Sequence, residues 1–195
     1  MSNRKKYLFL PAVLFCLLSL TTIAQENKPD PVWRQDTIIG NNVFRKHSNW
    51  LSGGIGIAKH NQLGNRQYTN NVDFNFHIHT EYFQLGILLS GDDMYGNYNN
   101  YQFHFCYGKR VESSSINFSY FGGVSYATFF EWTGQKYSDY SKTDVGLYAN
   151  AQYIVKIKFD VGIGIGAFVD VNFHQSVMGA KIDLYFSGAY KGKKE

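Results

Sequence analysis

Phe159-Asp160-Val161-Gly162-Ile163-Gly164-Ile165-Gly166-Ala167-Phe168-Val169-Asp170-Val171-Asn172-Phe173 is the stretch whose reading decides the fold. Its odd positions are apolar throughout, from Phe159 through Ile163 and Ile165 to Phe173, while its even positions are mostly Gly, Asp and Asn. Successive side chains on a strand point to opposite faces, so this is a strand with one greasy side and one small, polar side. An ordinary strand is about 5–6 residues long, and this one is far longer. The same beat recurs about eight times between Trp50 and Tyr190. Alternating segments of about 10 residues separated by turn residues mark a transmembrane β-barrel. The expected fold is therefore all-β: an eight-stranded antiparallel transmembrane β-barrel.

Working outward from that strand, the pattern predicts strands over Trp50–Lys59, Asn71–Thr80, Tyr82–Ser90, Tyr101–Lys109, Ser115–Phe130, Thr143–Ile154, Lys158–Asn172 and Val177–Tyr190. Tight connections at Thr80-Glu81, Arg110–Ser114 and Val155–Lys158 alternate with long polar ones at His60–Asn70, Gly91–Asn100 and Glu131–Lys142, and a short one follows near Phe173–Ser176. An even strand number with alternating short and long connections is the layout of an outer-membrane barrel. No long segment carries a 3.6-residue apolar repeat, so no helix is called for.

Alternation alone does not separate a membrane barrel from a soluble, lipocalin-like one. The composition of the two faces does. A water-facing surface is rich in Lys, Glu and Arg, whereas the polar face here holds mainly Gly, Ser, Asn and His, as at Ser52, Gly54, Asn75, His104 and Ser125. Such residues suit the narrow, filled interior of eight strands. The opposite face carries Ile55, Phe74, Leu85, Phe103, Val145 and Leu184 among others. Exposed to water that band would aggregate; in lipid it is at home.

The N-terminus supports export. Arg4, Lys5 and Lys6 precede an apolar run over Tyr7–Leu20, and Thr21-Thr22-Ile23-Ala24 supplies small residues before a cut after Ala24. This describes a secretory signal peptide, too short to span a bilayer as a helix. The chain then divides into a signal peptide (1–24), a polar periplasmic lead-in (25–49) bearing Pro29 and Pro31, the barrel (50–190) and a basic tail (191–195). Cleavage takes three cations from a formal charge of +4, so nothing points to a nucleic-acid partner. It also discards Cys16 and leaves Cys106 alone, which excludes an intramolecular disulfide.

From Trp50 to Tyr190 the architecture resembles the small eight-stranded outer-membrane proteins of the OmpX type and the OmpA transmembrane domain. Members of that group end on an aromatic residue that the assembly machinery reads. Tyr190 shares a face with Ile182, Leu184 and Phe186 and fits that role, although Lys191–Glu195 follow it.

Candidate chemistry is sparse. His77 and His79 share a face of one strand, His104 faces the same lumen and Asp73 lies beside them. Metal binding and a hydrogen-bonded lumen network are both chemically open to that set; the network is the reading adopted, because no closing Cys or carboxylate spacing is present. With a turn near His174-Gln175, Asp170 stands opposite Lys181, and a buried charge must be paired. The expected lumen network is Asp73, His77, His79, His104, Asp170, Lys181 and Asp183, with no catalytic, cofactor or metal site. His174-Gln175-Ser176 resembles the His-x-Ser element of the outer-membrane lipid A deacylases, in which the His activates the Ser. The Asn that follows in that family is Val177 here, and no acidic partner for His174 is evident. Tyr95, Tyr98, Trp132, Tyr137 and Tyr140 stand in the outer connections, either as an aromatic girdle or as a contact surface for protein or glycan.

The expectation is thus a monomeric outer-membrane barrel in contact with lipid and lipopolysaccharide, without enzymatic activity, acting structurally or through its outer loops. The alternatives are a lipid A-modifying barrel enzyme, a membrane component of an export or assembly machine, and a soluble periplasmic ligand-binding barrel.

Overall fold

Period-two alternation is realised as eleven strands among the described residues. The computed structural model describes residues 36–61, 66–92, 98–132, 137–173 and 176–194. The expected leader over residues 1–24, with its expected cleavage site and Cys16, lies outside them, as do Tyr95 and His174. Two four-residue strands, β1 (Asp36–Ile39) and β2 (Asn42–Arg45), come first. Eight long ones follow: β3 (Trp50–His60), β4 (Arg66–Ile78), β5 (Glu81–Gly91), β6 (Tyr98–Glu112), β7 (Ile116–Trp132), β8 (Tyr137–Lys158), β9 (Val161–Asn172) and β10 (Val177–Ser187). The last, β11, is Tyr190–Lys193.

Strands β3 to β10 form a closed antiparallel barrel, each pairing with its chain neighbours and β10 returning to β3. Closure runs from Trp50↔Ser187 to His60↔Val177. Over the span where all eight strands pair, closing the sheet removes the edges, which is what a strand needs where no water can serve its backbone. The turns after β4, β6 and β8, the start of β3 and the end of β10 share one end of the barrel, here the turn end; the other end is the loop end.

The outward face is apolar and open, with Ile165 at 65% and Phe103 at 61% exposure. The inward face is packed. Small polar residues were expected to fill it, but Trp50, Tyr82, Leu88, Phe121, Tyr148, Ile154, Phe168 and Tyr185 are buried there too. Glycine makes room for them: a Cβ on Gly108 would lie 2.4 Å from the Phe121 ring, and one on Gly179 would lie 2.6 Å from Phe168. Each ring thus fills the space of a missing side chain on the next strand.

Four features differ from the sequence reading. First, β8 begins at Tyr137 rather than Thr143, so Tyr137 and Tyr140 lie in strand, Trp132 pairs with Tyr137, and Tyr98 belongs to β6. Tyr137–Val145 pair with β7 alone, because β9 reaches only as far as Gly146. Second, a hairpin forms inside the lead-in. Strand β2 pairs with β1 and with β11, giving a small sheet of order β1-β2-β11 at the turn end. Third, Tyr190 therefore leaves the barrel: its ring lies 5.6 Å from Phe44 in that sheet, and Phe186 is the last outward residue of β10. Fourth, Asp160 is a clamp in the β8–β9 turn rather than a lumen charge, accepting hydrogen bonds from Ser187 Oγ (2.7 Å) and from the Ala189 and Tyr190 amides.

Candidate functional site

The lumen holds the densest polar chemistry in the molecule, in two tiers. In the upper one, Asp73 on β4 accepts from Lys181 Nζ at 2.9 Å, from Asn71 Nδ2 at 2.8 Å and pairs with His104 Nε2 at 3.0 Å. Lys181 also reaches Asp183 at 3.5 Å, and Gln152 donates to Asp183 at 3.2 Å. All four ionisable side chains, Asp73, His104, Lys181 and Asp183, are fully buried. Gly86 is part of this geometry, since a Cβ there would fall 2.2 Å from both Asp73 Oδ1 and His104 Nε2. The Tyr148 ring stacks on His104 with centroids 4.0 Å apart.

Beneath this tier an amide ladder crosses the barrel. Asn150 Nδ2 donates to Gln84 Oε1 at 2.8 Å, and Gln84 Nε2 donates to Asn75 Oδ1 at 2.9 Å. The second charged tier follows toward the turn end. Arg110 donates to Tyr185 Oη at 2.6 Å, to Asn117 Oδ1 at 2.7 Å and to the Ser48 carbonyl at 3.0 Å, and it pairs with Glu112. Its guanidinium lies 4.3 Å over the Trp50 ring, within cation–π range. Lys156 also bonds Glu112, with Nζ 3.9 Å over Phe159. Sequence reasoning assigned Arg110 and Lys156 to turns. The missed signal was parity: Arg110 continues His104, Cys106 and Gly108, and Lys156 continues Gln152 and Ile154.

His77, His79 and Asp170 separate from the expected network, whereas His104 stays in it. His77 sits at the turn-end rim with its ring 5.9 Å from His47, and His79 lies in the turn itself at φ 58°. That left-handed conformation is one His visits more readily than most residues. Asp170 does not meet Lys181. It pairs in register with Val177 and accepts from Ser125 Oγ at 2.6 Å and Asn172 Nδ2 at 3.1 Å, while Lys181 stands opposite Gly166. The register thus differs by four residues from the one expected, and Ser176 Oγ donates to the Asn172 carbonyl and its amide to Asn61 Oδ1. The displacement is an even number of residues, so each side chain keeps its face while changing its partner.

At the turn end the small sheet and the link to β3 close the mouth of the lumen. Phe44 stacks on Phe159 with centroids 4.1 Å apart, and His47 Nδ1 lies 2.6 Å from Tyr82 Oη. Burial, then the nearby charges of His77, Lys46 and Arg110, hold His47 below the ordinary imidazole range. Among the described residues no group of three or more His, Cys, Asp or Glu is placed to hold a metal ion.

Eight antiparallel strands, an apolar outer face, a filled lumen and the start of β3 and end of β10 at the short-turn end are now in place. The chain folds as a small eight-stranded outer-membrane β-barrel. Neisserial surface protein A has the same fold, with a TM-score of 0.59 at 11% identity over 71% of this chain and 96% of that one. So does Ail, the attachment invasion locus protein of Yersinia pestis, at 0.52 and 8% over 74% and 97%. The N-terminal β-barrel domain of Pseudomonas aeruginosa OprF follows at 0.51 and 5% over 71% and 96%. At these identities the likeness is one of fold. No family model matches the chain, and no curated protein matches it. Within this barrel every charge of the upper tier is tied to a neighbour, and the Ser176 hydroxyl donates to the Asn172 carbonyl.

Proposed function

We propose that the protein is a non-enzymatic outer-membrane barrel that presents its loop end to partners outside the cell. One observation carries the reading. Tyr137–Val145 and the facing part of β7 form a two-stranded extension that continues past the closed barrel on the end opposite the start of β3 and the end of β10. A membrane-spanning strand needs about 9–11 residues, and β8 has 22 against 11 in β10. The surplus is therefore outside the bilayer. The extension carries Trp132, Tyr137 and Tyr140 in its sequence, and β9 pairs with β8 only as far as Gly146. Strand backbone that outruns the barrel wall can take an added strand, which favours a protein partner over a glycan.

The filled lumen supports the same reading, since eight strands leave an interior wide enough for side chains and no aqueous channel. Export by the leader, residence in the outer membrane beside phospholipid and lipopolysaccharide, and a monomeric state belong to the proposal. The test is threefold: fractionation, heat-modifiable gel migration, and crosslinking pull-down from intact cells. Full-length protein is compared with a variant in which Glu131–Lys142 is replaced by a two-residue Asn-Gly turn. The partner is expected to be lost with the extension while the barrel still assembles. Recovery in the soluble periplasm without detergent, or an unchanged set of crosslinked partners, contradicts the proposal.

A further inference from the structure

The turn-end rim departs from a regular barrel edge at one place. A β-bulge between Lys156 and Lys158 inserts Ile157 into β8 opposite β9. A bulge re-aims the side chains that follow it. Lys156 stays inward on Glu112, whereas Lys158 becomes the cross-strand partner of Val161 and shares its outward face. Ile157 is 73% exposed on the same rim. Between this rim and the small sheet runs a groove of about 490 Å³, with Ile157, Val161 and Tyr190 as apolar walls and Lys158, Ser114 and Ser115 as polar ones.

The charge at this end of the molecule is net positive. Asp160, which lines the groove, is a carboxylate held by one hydroxyl and two amides, and Lys191 and Lys109 are matched by Asp36 at 2.8 Å and Glu81 at 2.6 Å. Against that one carboxylate, Lys158 lines the groove, Arg45, Lys46, Lys193 and Lys194 are exposed on or beside β2 and β11, and no acidic side chain among the described residues forms an ion pair with any of the five. A groove with lipid-facing walls, a hydroxyl-lined border and an excess of cations at its end of the barrel fits an amphipathic anion.

We propose that this groove binds an anionic phospholipid of the periplasmic leaflet, its phosphate beside Lys158 and the Ser114 and Ser115 hydroxyls and its chains along Ile157 and Val161. The site rests on the membrane orientation given under the proposed function. Long cationic side chains at a membrane boundary lay their stems on apolar surface and hold their heads at the headgroup level, which suits Lys158 beside Val161. A soluble anion would use the cations but not the apolar walls.

The experiment uses the full chain refolded into phosphatidylcholine bilayers containing trace spin-labelled phosphatidylglycerol or phosphatidylcholine. The motionally restricted fraction of each label gives the relative affinity. Wild type is expected to prefer phosphatidylglycerol. Lys158→Gln should lower the preference about fivefold, the weight of one basic residue near an anionic surface, and Lys158→Arg should keep it. Asn42→Trp fills the groove without changing charge and should lower the preference as well; heat-modifiable migration certifies that each variant is folded. No preference in wild type, or an undiminished one in both Lys158→Gln and Asn42→Trp, overturns the proposal. So does full displacement by millimolar glycerol phosphate, which assigns the site to a soluble phosphate. A preference unchanged in Lys158→Gln while binding to isolated cell-wall sacculi is lost transfers the basic face to the wall polymer and overturns it too. Failure of the wild type to insert into the bilayer sinks the membrane reading itself, a result separate from insertion without preference.

Discussion

Replacing Lys181 with Met should be among the most damaging single changes in the lumen, and the geometry says by how much. Its Nζ stands 2.9 Å from Asp73 and 3.5 Å from Asp183, with no side-chain exposure on any of the three. Removing one partner of a buried ion pair costs about 3–5 kcal/mol, because a charge is left uncompensated. Here two carboxylates are left, linked by Asn71 Nδ2, which donates to Asp73 at 2.8 Å and Asp183 at 3.3 Å. The Asn71 and Gln152 amides carry no charge, and His104 Nε2 reaches Asp73 but is not placed on Asp183, so Lys181→Met belongs in that range. Lys181→Met with Asp73→Asn removes a charge of each sign and leaves Asp183 with Gln152 and Asn71 as donors. The double variant should therefore be more stable than the single. The assay is reversible urea unfolding in lipid vesicles, followed by tryptophan fluorescence and the gel mobility of the folded form. A Lys181→Met variant within about 1 kcal/mol of wild type, or a double variant less stable than the single, would show that the tier is not held by charge.

Three further outcomes follow from other parts of the molecule. Ile165 points outward at mid-strand, so Ile165→Arg should cost about 2–4 kcal/mol in the bilayer, whereas Gly164→Ala places a Cβ 2.0 Å from the Tyr153 carbonyl and should abolish the heat-modifiable form; equal tolerance of both refutes the facing. His47 is held neutral below the value of about 6.5 it has when unfolded, so the stability it lends the turn-end cap is complete above that pH and declines as the pH falls through it. Hydrogen exchange over residues 36–49, corrected for intrinsic rate, should show weaker protection at pH 5 than at pH 7.5, and His47→Phe should remove the difference; protection that does not respond to pH counts against the cap. Ser176→Ala and His174→Ala should leave the lipid A profile unchanged by mass spectrometry, since among the described residues the Ser176 hydroxyl donates to the Asn172 carbonyl; loss of an acyl-chain modification in both, with assembly intact, would make the protein an enzyme.

The barrel was legible because lipid on one side and a filled lumen on the other force a two-residue contrast along every strand. Where that contrast stops, so does legibility. Tyr137–Val145 continue past the point where β9 ends and their sequence does not keep the contrast, so their strand reads as a polar loop. Facing was legible and register was not: Asp170 and Lys181 both point inward as expected, yet four residues separate the expected partner Lys181 from the actual one Val177, because a slip by an even number of residues changes partners without changing faces. His77 has the right parity and still leaves the lumen, because β4 ends at Ile78. Arg110 and Lys156 were hidden by the opposite error, a strand ended too early. The small sheet had no local signal at all. Its strands are four residues long and its decisive pairing, Phe44↔Tyr190, joins the two ends of the chain.

That pairing is intelligible from chain entropy. Bringing β10 back to β3 closes the longest loop in the barrel, and the cost of doing so grows only slowly with its length. Once Ser187 lies beside Trp50, the residues that follow one and precede the other are already neighbours. Joining Tyr190 to Phe44 then closes only a short additional loop, and Arg45 N to Ala189 O, at 2.8 Å, spans the gap. Four-residue strands that would not hold together in isolation are thus stable where they stand, because the barrel has already positioned both ends. Asp160 adds the last constraint, fixing the Ser187–Tyr190 crossing from the β8–β9 turn. The same crossing brings Phe44 and Tyr190 together against Phe159 and sets the small sheet beneath the rim where Lys158 emerges. The groove proposed for the phospholipid is therefore a consequence of how the two chain ends are joined.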